Sequence, residues 1–180
     1  MRLRFAGFGG QGVVLCGFIF GKAALLDGKN AIHTQSYGSA SRGGLTKSDV
    51  RIEEGEIYDL VCDELDVLVT LSQQSYDRYN PALCQGGWLF YESDLVQIQA
   101  QPDVRSHGAG VTDIAYKTFG RKIMANMIMI GFANEIARIV SRESLERTIG
   151  ENVPPGTEEK NLAAFREGLR LGAAAVAGAG

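Results

Sequence analysis

The chain has 180 residues and a mass of 19.4 kDa, with 45% hydrophobic and 22% charged residues, which suits one core of ordinary size and a single domain over residues 1–180. Its 18 basic and 21 acidic residues give a net charge of -3, which excludes a global field drawing it to nucleic acid or an anionic membrane and leaves any anion site to local groups. No apolar run approaches the ~20 residues that cross a bilayer, and the start MRLRFAGFGG reaches glycines before a signal-peptide core forms, so a cytoplasmic protein is expected.

Leu3 to Ala6 are short and mostly apolar, Gly7 to Gly12 follow, and Val13 to Leu26 is an apolar run with helical spacing. Strand, tight turn and helix in that order open an α/β domain. Gly28 suits a helix stop, and NAIHTQ reads as a second strand. KSDVRIEE alternates as a third strand, IYDLVCDEL has the spacing of a short helix, and DVLVTLS is an apolar strand buried on both faces. QQSYDRYNPAL is helical and ends at a proline, GWLFYES is a further strand, and Thr112 is placed to cap DIAYKTFG. RKIMANMIMIGFANEIARIV is the longest helical pattern, apolar nearly all round, and should lie against the sheet or a partner. Ser144 to Ile149 reads as a short helix, ENVPPG as a loop, Glu158 to about Ala175 as the last helix, and the tail GAAAVAGAG as frayed. The alternation predicts an α/β fold, a Rossmann-like three-layer sandwich with a mainly parallel sheet.

Gly7-Phe8-Gly9-Gly10-Gln11-Gly12 satisfies G-x-G-x-x-G after a first strand and before a helix. Glycines permit positive φ and close backbone approach, and a helix N-terminus is worth ~0.3–1 kcal/mol to an anion. A dinucleotide enzyme needs an acid at the end of the second strand, where this chain has His33, Thr34 and Gln35, and Asp27 comes too early. A P-loop is excluded because Lys22 is followed by Ala23. The stretch from Tyr37 to Gly44 follows the second strand, so a doubly wound sheet sets it at the same carboxyl edge as the glycine turn. Arg42, among Gly38, Ser39, Ser41, Gly43 and Gly44, is suited to a two-pronged grip on phosphate or carboxylate.

At these residues the chain resembles the γ subunit of the 2-oxoacid:ferredoxin oxidoreductases, the family that converts pyruvate, 2-oxoglutarate or branched 2-oxoacids to acyl-CoA. The resemblance is carried by GFGGQGV, by SYGSASRGG leading into KSDVRI, and by KIMANMIMIGFA, and spans roughly Arg2 to Val140. Its matching positions are Gly7, Gly9, Gly10, Gln11, Gly12, Tyr37, Gly38, Arg42, Gly43, Gly44, Ser48, Asp49 and Asn126. Where the family often shows Pro-Glu-Ala, this chain has Ser39-Ala40-Ser41, which leaves Arg42 without a nearby acid. The resemblance implies a subunit that is not catalytic alone, with 2-oxoglutarate the first expected substrate. It implies α and β partner subunits, an optional ferredoxin-like δ subunit and ferredoxin as acceptor. Thiamine diphosphate, Mg and Fe–S clusters are then on partner chains, and CoA is the co-substrate.

The residues agree with that division. Cys16, Cys62 and Cys84 are scattered, no C-x-x-C pair exists, and no thiamine-type G-D-G motif is present, so no metal site is expected. His33 and His107 lie too far apart to suggest a triad. Ser72 and Gln73 follow the buried VLVTL strand and should also emerge at the carboxyl edge, while Asn126 sits on the apolar helix as a core amide or a ligand contact. Two other readings remain open: a free-standing nucleotide- or CoA-binding regulatory module, and a complete dehydrogenase, against which the missing ribose acid counts.

Overall fold

The computed structural model describes residues 1–37, 44–59 and 61–178. The elements are β1 (Arg2–Phe8), α1 (Val13–Leu26), β2 (Asn30–Tyr37), β3 (Leu45–Glu53), β4 (Leu65–Thr70), α2 (Gln73–Tyr79), β5 (Leu83–Glu92), β6 (Arg105–Ala109), α3 (Val111–Phe119), α4 (Ala125–Ala137), α5 (Arg142–Asn152) and α6 (Glu158–Gly178). They build one six-stranded sheet of order β2-β3-β1-β4-β5-β6. β1, β4, β5 and β6 are parallel, and β3 runs against both β1 and β2. The sheet is therefore mostly parallel, as the alternation of strands and helices predicts, but β3 stands where a doubly wound sheet places β2.

That insertion explains why the described part of 57–65 is not the expected helix. β3 ends and β4 begins at the same edge of the sheet, because Arg2 pairs with Arg51 and Leu3 with Val67. The connection only has to step across β1, whereas a helix running the length of the sheet would deliver the chain to the opposite edge. The described part of the segment lies without regular structure, held by hydrogen bonds from Arg51 to the Asp59 carbonyl (2.8 Å) and from Arg4 to the Cys62 carbonyl (3.0 Å).

The two faces of the sheet are unequal. Leu3, Phe5, Val50, Ile52, Val67, Val69 and Phe90 form one core with α1, α4, α5 and α6. Leu65, Leu68 and Leu89 form a smaller cluster with Tyr76 of α2, Cys62 and Val96 on the other, with Tyr79, Ile98 and Val104 packed against it. On the thick side α4 and α6 cross with their backbones in contact: a Cβ on Gly168 would strike the Ile128 carbonyl, and one on Gly131 the Phe165 carbonyl.

The helix expected across residues 121–140 is shorter. A 3-10 turn occupies Lys122–Met124, and α4 stops at Ala137 with Arg138 at φ 48°. Asn134 ends it, its side chain donating to the Val140 carbonyl (3.0 Å) and accepting from the Val140 N–H (3.2 Å). α6, not α4, is the longest helix, and its alanine-rich end stays helical to Gly178 because Gly168 and Gly172 seat it on α4. β6 escapes the pattern because RSHGA is short and polar, and pairing with β5 makes it a strand.

On the thin side, Arg4 of β1 and Asp49 of β3 form a buried bidentate pair, with Nε–Oδ1 at 2.6 Å and Nη2–Oδ2 at 2.8 Å. The Tyr79 ring lies 4.7 Å from the guanidinium carbon, and Lys47 Nζ reaches Asp49 at 2.9 Å. Ser48 and Asp49 thus have structural work, Ser48 Oγ lying 2.7 Å from His33 Nε2. Asp49→Asn leaves Arg4 buried without its counter-charge, for which the expected loss is about 3–5 kcal/mol. Urea unfolding checks this, and an unchanged midpoint would contradict the role.

Candidate functional site

β1 and β4 are parallel neighbours, yet α1 leaves β1 toward the thick core and α2 leaves β4 toward the thin one. Their carboxyl ends therefore form a topological switch point, the position where open α/β sheets hold ligands. Phe8, Gly10 and Gln11 make one wall of the crevice, and Leu71 to Gln74 make the other.

The glycine turn is built for backbone exposure. Gly10 has φ 96°, and Gly12, the N-cap of α1, has φ 75° with no side-chain cap and no acid in the first helical turn. The N–H groups at the start of α1 thus carry the helix's partial positive charge without a protein counter-charge. A Cβ on Gly12 would strike Asn126 Nδ2, so the start of α4 abuts the start of α1. Asn126 is buried in the first turn of α4, where its Oδ1 accepts from the Met127 N–H at 2.7 Å. Gln11 folds back across the crevice, accepting from the Phe8 N–H (2.6 Å) and donating to the Leu71 carbonyl (3.0 Å).

Gln11, Leu71 and Leu95 are shared by two adjoining cavities. The smaller, about 290 Å³, is bounded by Gly10, Thr112, Lys122, Ile123 and Ala125, and Lys122 is the cation in its wall. The larger, about 450 Å³, adds Phe8, Ser72, Gln73, Gln74 and Asp77.

The sequence-predicted residues divide accordingly. Gly10 and Gln11 line the crevice, Gly9 lies in the same turn and Gly7 just before it in β1, while Gly12 faces a separate cavity beside Phe18, His33 and Gln35 and abuts Asn126. Ser72 lines the larger lobe with its hydroxyl engaged as the α2 N-cap, accepting from the Ser75 N–H at 3.3 Å. Gln73 straps down the segment that carries Leu95, accepting from the Gln97 N–H (2.7 Å) and donating to its carbonyl (3.2 Å). Tyr37 ends β2 with its side chain exposed, and the Gly44 carbonyl accepts from the Gly9 N–H at 2.9 Å. Gly38, Ser39, Ser41, Arg42 and Gly43 lie outside the described residues. Their flanks meet the carboxyl edge as expected, but through the β2–β3 hairpin, with Phe8 opposite Leu45 and Tyr37 opposite Thr46.

Lys122, Thr112, Leu71, Leu95 and Glu92 are not among the site residues read from the sequence, where Thr112 figures only as a helix cap. Lys122 carries a usable signal, since a cation at the start of a buried helix opposes the macrodipole. Thr112 is not the cap of α3: Gly110 holds that position, and Thr112 stands inside the helix. Glu92, fully buried at the end of β5, supplies the cap from across the chain, accepting from the Thr112 N–H (2.7 Å) and hydroxyl (2.6 Å) and from the Asp94 N–H (3.2 Å). Burial lifts the Glu92 carboxyl above its ordinary value, against those three hydrogen bonds. Burial likewise pushes the Cys16 thiol up to about 12, too high for a working nucleophile. Among the described residues no group of three His, Cys, Asp or Glu side chains is placed to hold a metal, and no helix is long and apolar enough to cross a membrane.

Comparison with known proteins adds a family. The model described as pyruvate ferredoxin/flavodoxin oxidoreductase matches residues 2–171. The chain is 44% identical to the 2-oxoglutarate synthase subunit KorC of Methanocaldococcus jannaschii, over 94% of this chain and 92% of that one. Its structure is similar to the γ subunit of a keto/oxoacid ferredoxin oxidoreductase from Geobacter sulfurreducens, with a TM-score of 0.84 and 35% identity over 96% of this chain and 98% of that one. It also shares its fold with 31% of a chain of the 2-oxoglutarate:ferredoxin oxidoreductase from Magnetococcus marinus, a structure with 2-oxoglutarate, coenzyme A and succinyl-CoA bound, over 97% of this chain at a TM-score of 0.86 and 20% identity.

Glu92 gives the site a testable pH signature. Its raised carboxyl binds its proton more tightly folded than unfolded, so it subtracts stability above the folded value and the loss is relieved as pH falls toward the ordinary carboxyl range. The stability of the wild type relative to Glu92→Gln should therefore rise on acidification from pH about 7.5 to about 5. Urea titration at both pH values checks the sign, and a difference that moves the other way would refute it.

Proposed function

Because the chain belongs to the pyruvate ferredoxin/flavodoxin oxidoreductase family, we propose that it is the γ-type subunit of a multisubunit 2-oxoacid:ferredoxin oxidoreductase acting on 2-oxoglutarate. The observation that carries the substrate is the 44% identity to a 2-oxoglutarate synthase subunit along nearly the whole of both chains. The complex works in the cytoplasm, forming succinyl-CoA and carbon dioxide from 2-oxoglutarate and CoA and passing the electrons to ferredoxin. Thiamine diphosphate with its metal and the iron–sulfur clusters belong to the α and β subunits, with a ferredoxin-like δ subunit where one is present. The three cysteines of this chain suit that division: Cys16 is in α1, Cys62 in the crossover and Cys84 in β5, all as free thiols.

This chain contributes a wall for CoA. The small lobe offers the turn at Gly10 and Gln11, just ahead of α1, and Lys122 to phosphate oxygens. The larger lobe sets Phe8, Leu71 and Leu95 beside Gln73 and Gln74, which suits an arm of alternating methylene and amide groups. Arg42, two residues before the Gly44 whose carbonyl accepts from the glycine-turn Gly9 N–H, is proposed as a second cation for the same phosphates.

The test is anaerobic purification of the tagged chain from its own host, with 2-oxoacid- and CoA-dependent dye reduction measured over several 2-oxoacids. Partner chains that bear thiamine and clusters should co-purify, with activity highest on 2-oxoglutarate. In that complex Lys122→Ala and Arg42→Ala should each raise the KM for CoA about tenfold or more, the loss of one charge-assisted hydrogen bond of ~1.5–3 kcal/mol, without moving the KM for 2-oxoglutarate. A chain that purifies alone and inactive would overturn the assembly. An unchanged KM for CoA in both variants would overturn the crevice as its site.

A further inference from the structure

We propose that Gln11 is a positioning residue that ties the carboxyl ends of β1 and β4 together and thereby sets how the glycine turn meets the anionic end of the ligand. The proposal rests on the crevice being the CoA site.

At a switch point the two central strands have reason to part, since their following helices pull to opposite faces. The last backbone bond between these strands is from the Leu71 N–H to the Ala6 carbonyl, at 3.0 Å. Beyond it the Gln11 side-chain amide takes the place of a peptide unit, with its carbonyl on the Phe8 N–H and its NH₂ on the Leu71 carbonyl. Phe8 precedes the turn directly, so the bond that anchors it also fixes where the following N–H groups point. Gln11 also borders both lobes, so its placement sets the width of each.

The glycines around it serve the same contact. A Cβ on Gly7 would run into Gln11 Oε1, and the left-handed Gly10 and Gly12 on either side turn the chain so that Gln11 points back over the crevice. The chemistry admits few substitutes. Glutamate keeps the acceptor but turns its second oxygen toward the Leu71 carbonyl and adds a negative charge beside the anion site. Asparagine is one methylene short, and methionine has the length without either bond. A residue that merely stabilised the fold would show none of this selectivity for one substrate.

A double-mutant cycle in the intact complex tests the proposal, with Gln11→Met, Gly7→Ala and the two combined. Gln11→Met removes the clasp, and Gly7→Ala expels it by collision. Each should raise the KM for CoA about tenfold, equivalent to about 1.4 kcal/mol, while kcat at saturating CoA and the KM for 2-oxoglutarate stay within about twofold. Because both changes break one contact, the double variant should be no worse than either single one. Amide exchange at Phe8 and Gly9 should quicken in all three. Additive effects, or an unchanged KM for CoA in Gln11→Met, would overturn the positioning role. Lys122→Ala, run in parallel, separates the two ideas. If it alone shifts the KM for CoA, the crevice reading stands and the Gln11 role falls. If neither does, the crevice reading falls and takes the positioning role with it.

Discussion

The buried pair of Arg4 and Asp49 fixes the register of β1 against β3, and the rest of the fold is arranged around that register. A slip of one residue between β1 and β3 would turn one of the two charges toward the apolar core on the other face and leave its partner buried without a counter-charge. Such a pair adds little net stability over an apolar substitute, because desolvation consumes most of its Coulomb energy. Its value is selection among alternative registers. The chosen register puts Phe8 opposite Leu45 and lets the Gly9 N–H reach the Gly44 carbonyl, so Gly44, the residue that follows 38–43, lies beside the glycine turn. The same guanidinium holds the crossover through the Cys62 carbonyl and lies against Tyr79 at the end of α2.

The thick helical layer brings a second constraint to the same edge. α4 is pressed against the sheet by its contact with α6, and its first turn meets the N-cap of α1 at Asn126 and Gly12. Two helix starts with like partial charges converge there, and Lys122 adds a full positive charge just ahead of one of them. Within the chain alone this is a conflict between levels, since each of the three groups raises the cost of the others. Conflicts of that kind are expected at functional sites, where a ligand of opposite charge resolves them. With a net charge of -3 there is no global positive field, so attraction of an anion here rests on these local groups.

What could be read from the sequence follows the range of the interactions involved. The opening strand, turn and helix are legible because positive-φ glycines and an apolar helical run are local signals. The position of the 38–43 flanks comes out right through the wrong topology: β2 runs in the direction of β1 in a doubly wound sheet and also here, where β3 intervenes. The helix expected over 57–65 fails for the same reason, since only the sheet order shows that β3 and β4 meet at one edge. Glu92 capping α3 from 20 residues away, and Gln11 reaching Leu71 from 60 away, are invisible to any local pattern. Gln11 is nevertheless present in the motif that carries the family resemblance. Its membership there was legible while its task was not, because the task depends on where β4 ends.

The energetics of the crevice also explain why such a chain works as a subunit. Each helix start offers an anion about 0.3–1 kcal/mol and a well-placed lysine ~1.5–3, so their sum is about 2–5 kcal/mol before the cost of association. A dissociation constant of 1 mM already requires about 4.1 kcal/mol net. The glycine turn and Lys122 can therefore orient a phosphate but cannot by themselves hold the molecule that carries it. On the proposed reading of the crevice as a CoA wall, the remaining affinity comes from surfaces of the partner subunits. A wall that orients without capturing leaves the ligand free to move toward the reacting centre and to depart as the acyl product. Tight binding by this chain alone would slow both steps, so weak, well-directed donors on a rigid turn suit a shared site better than a deep pocket would.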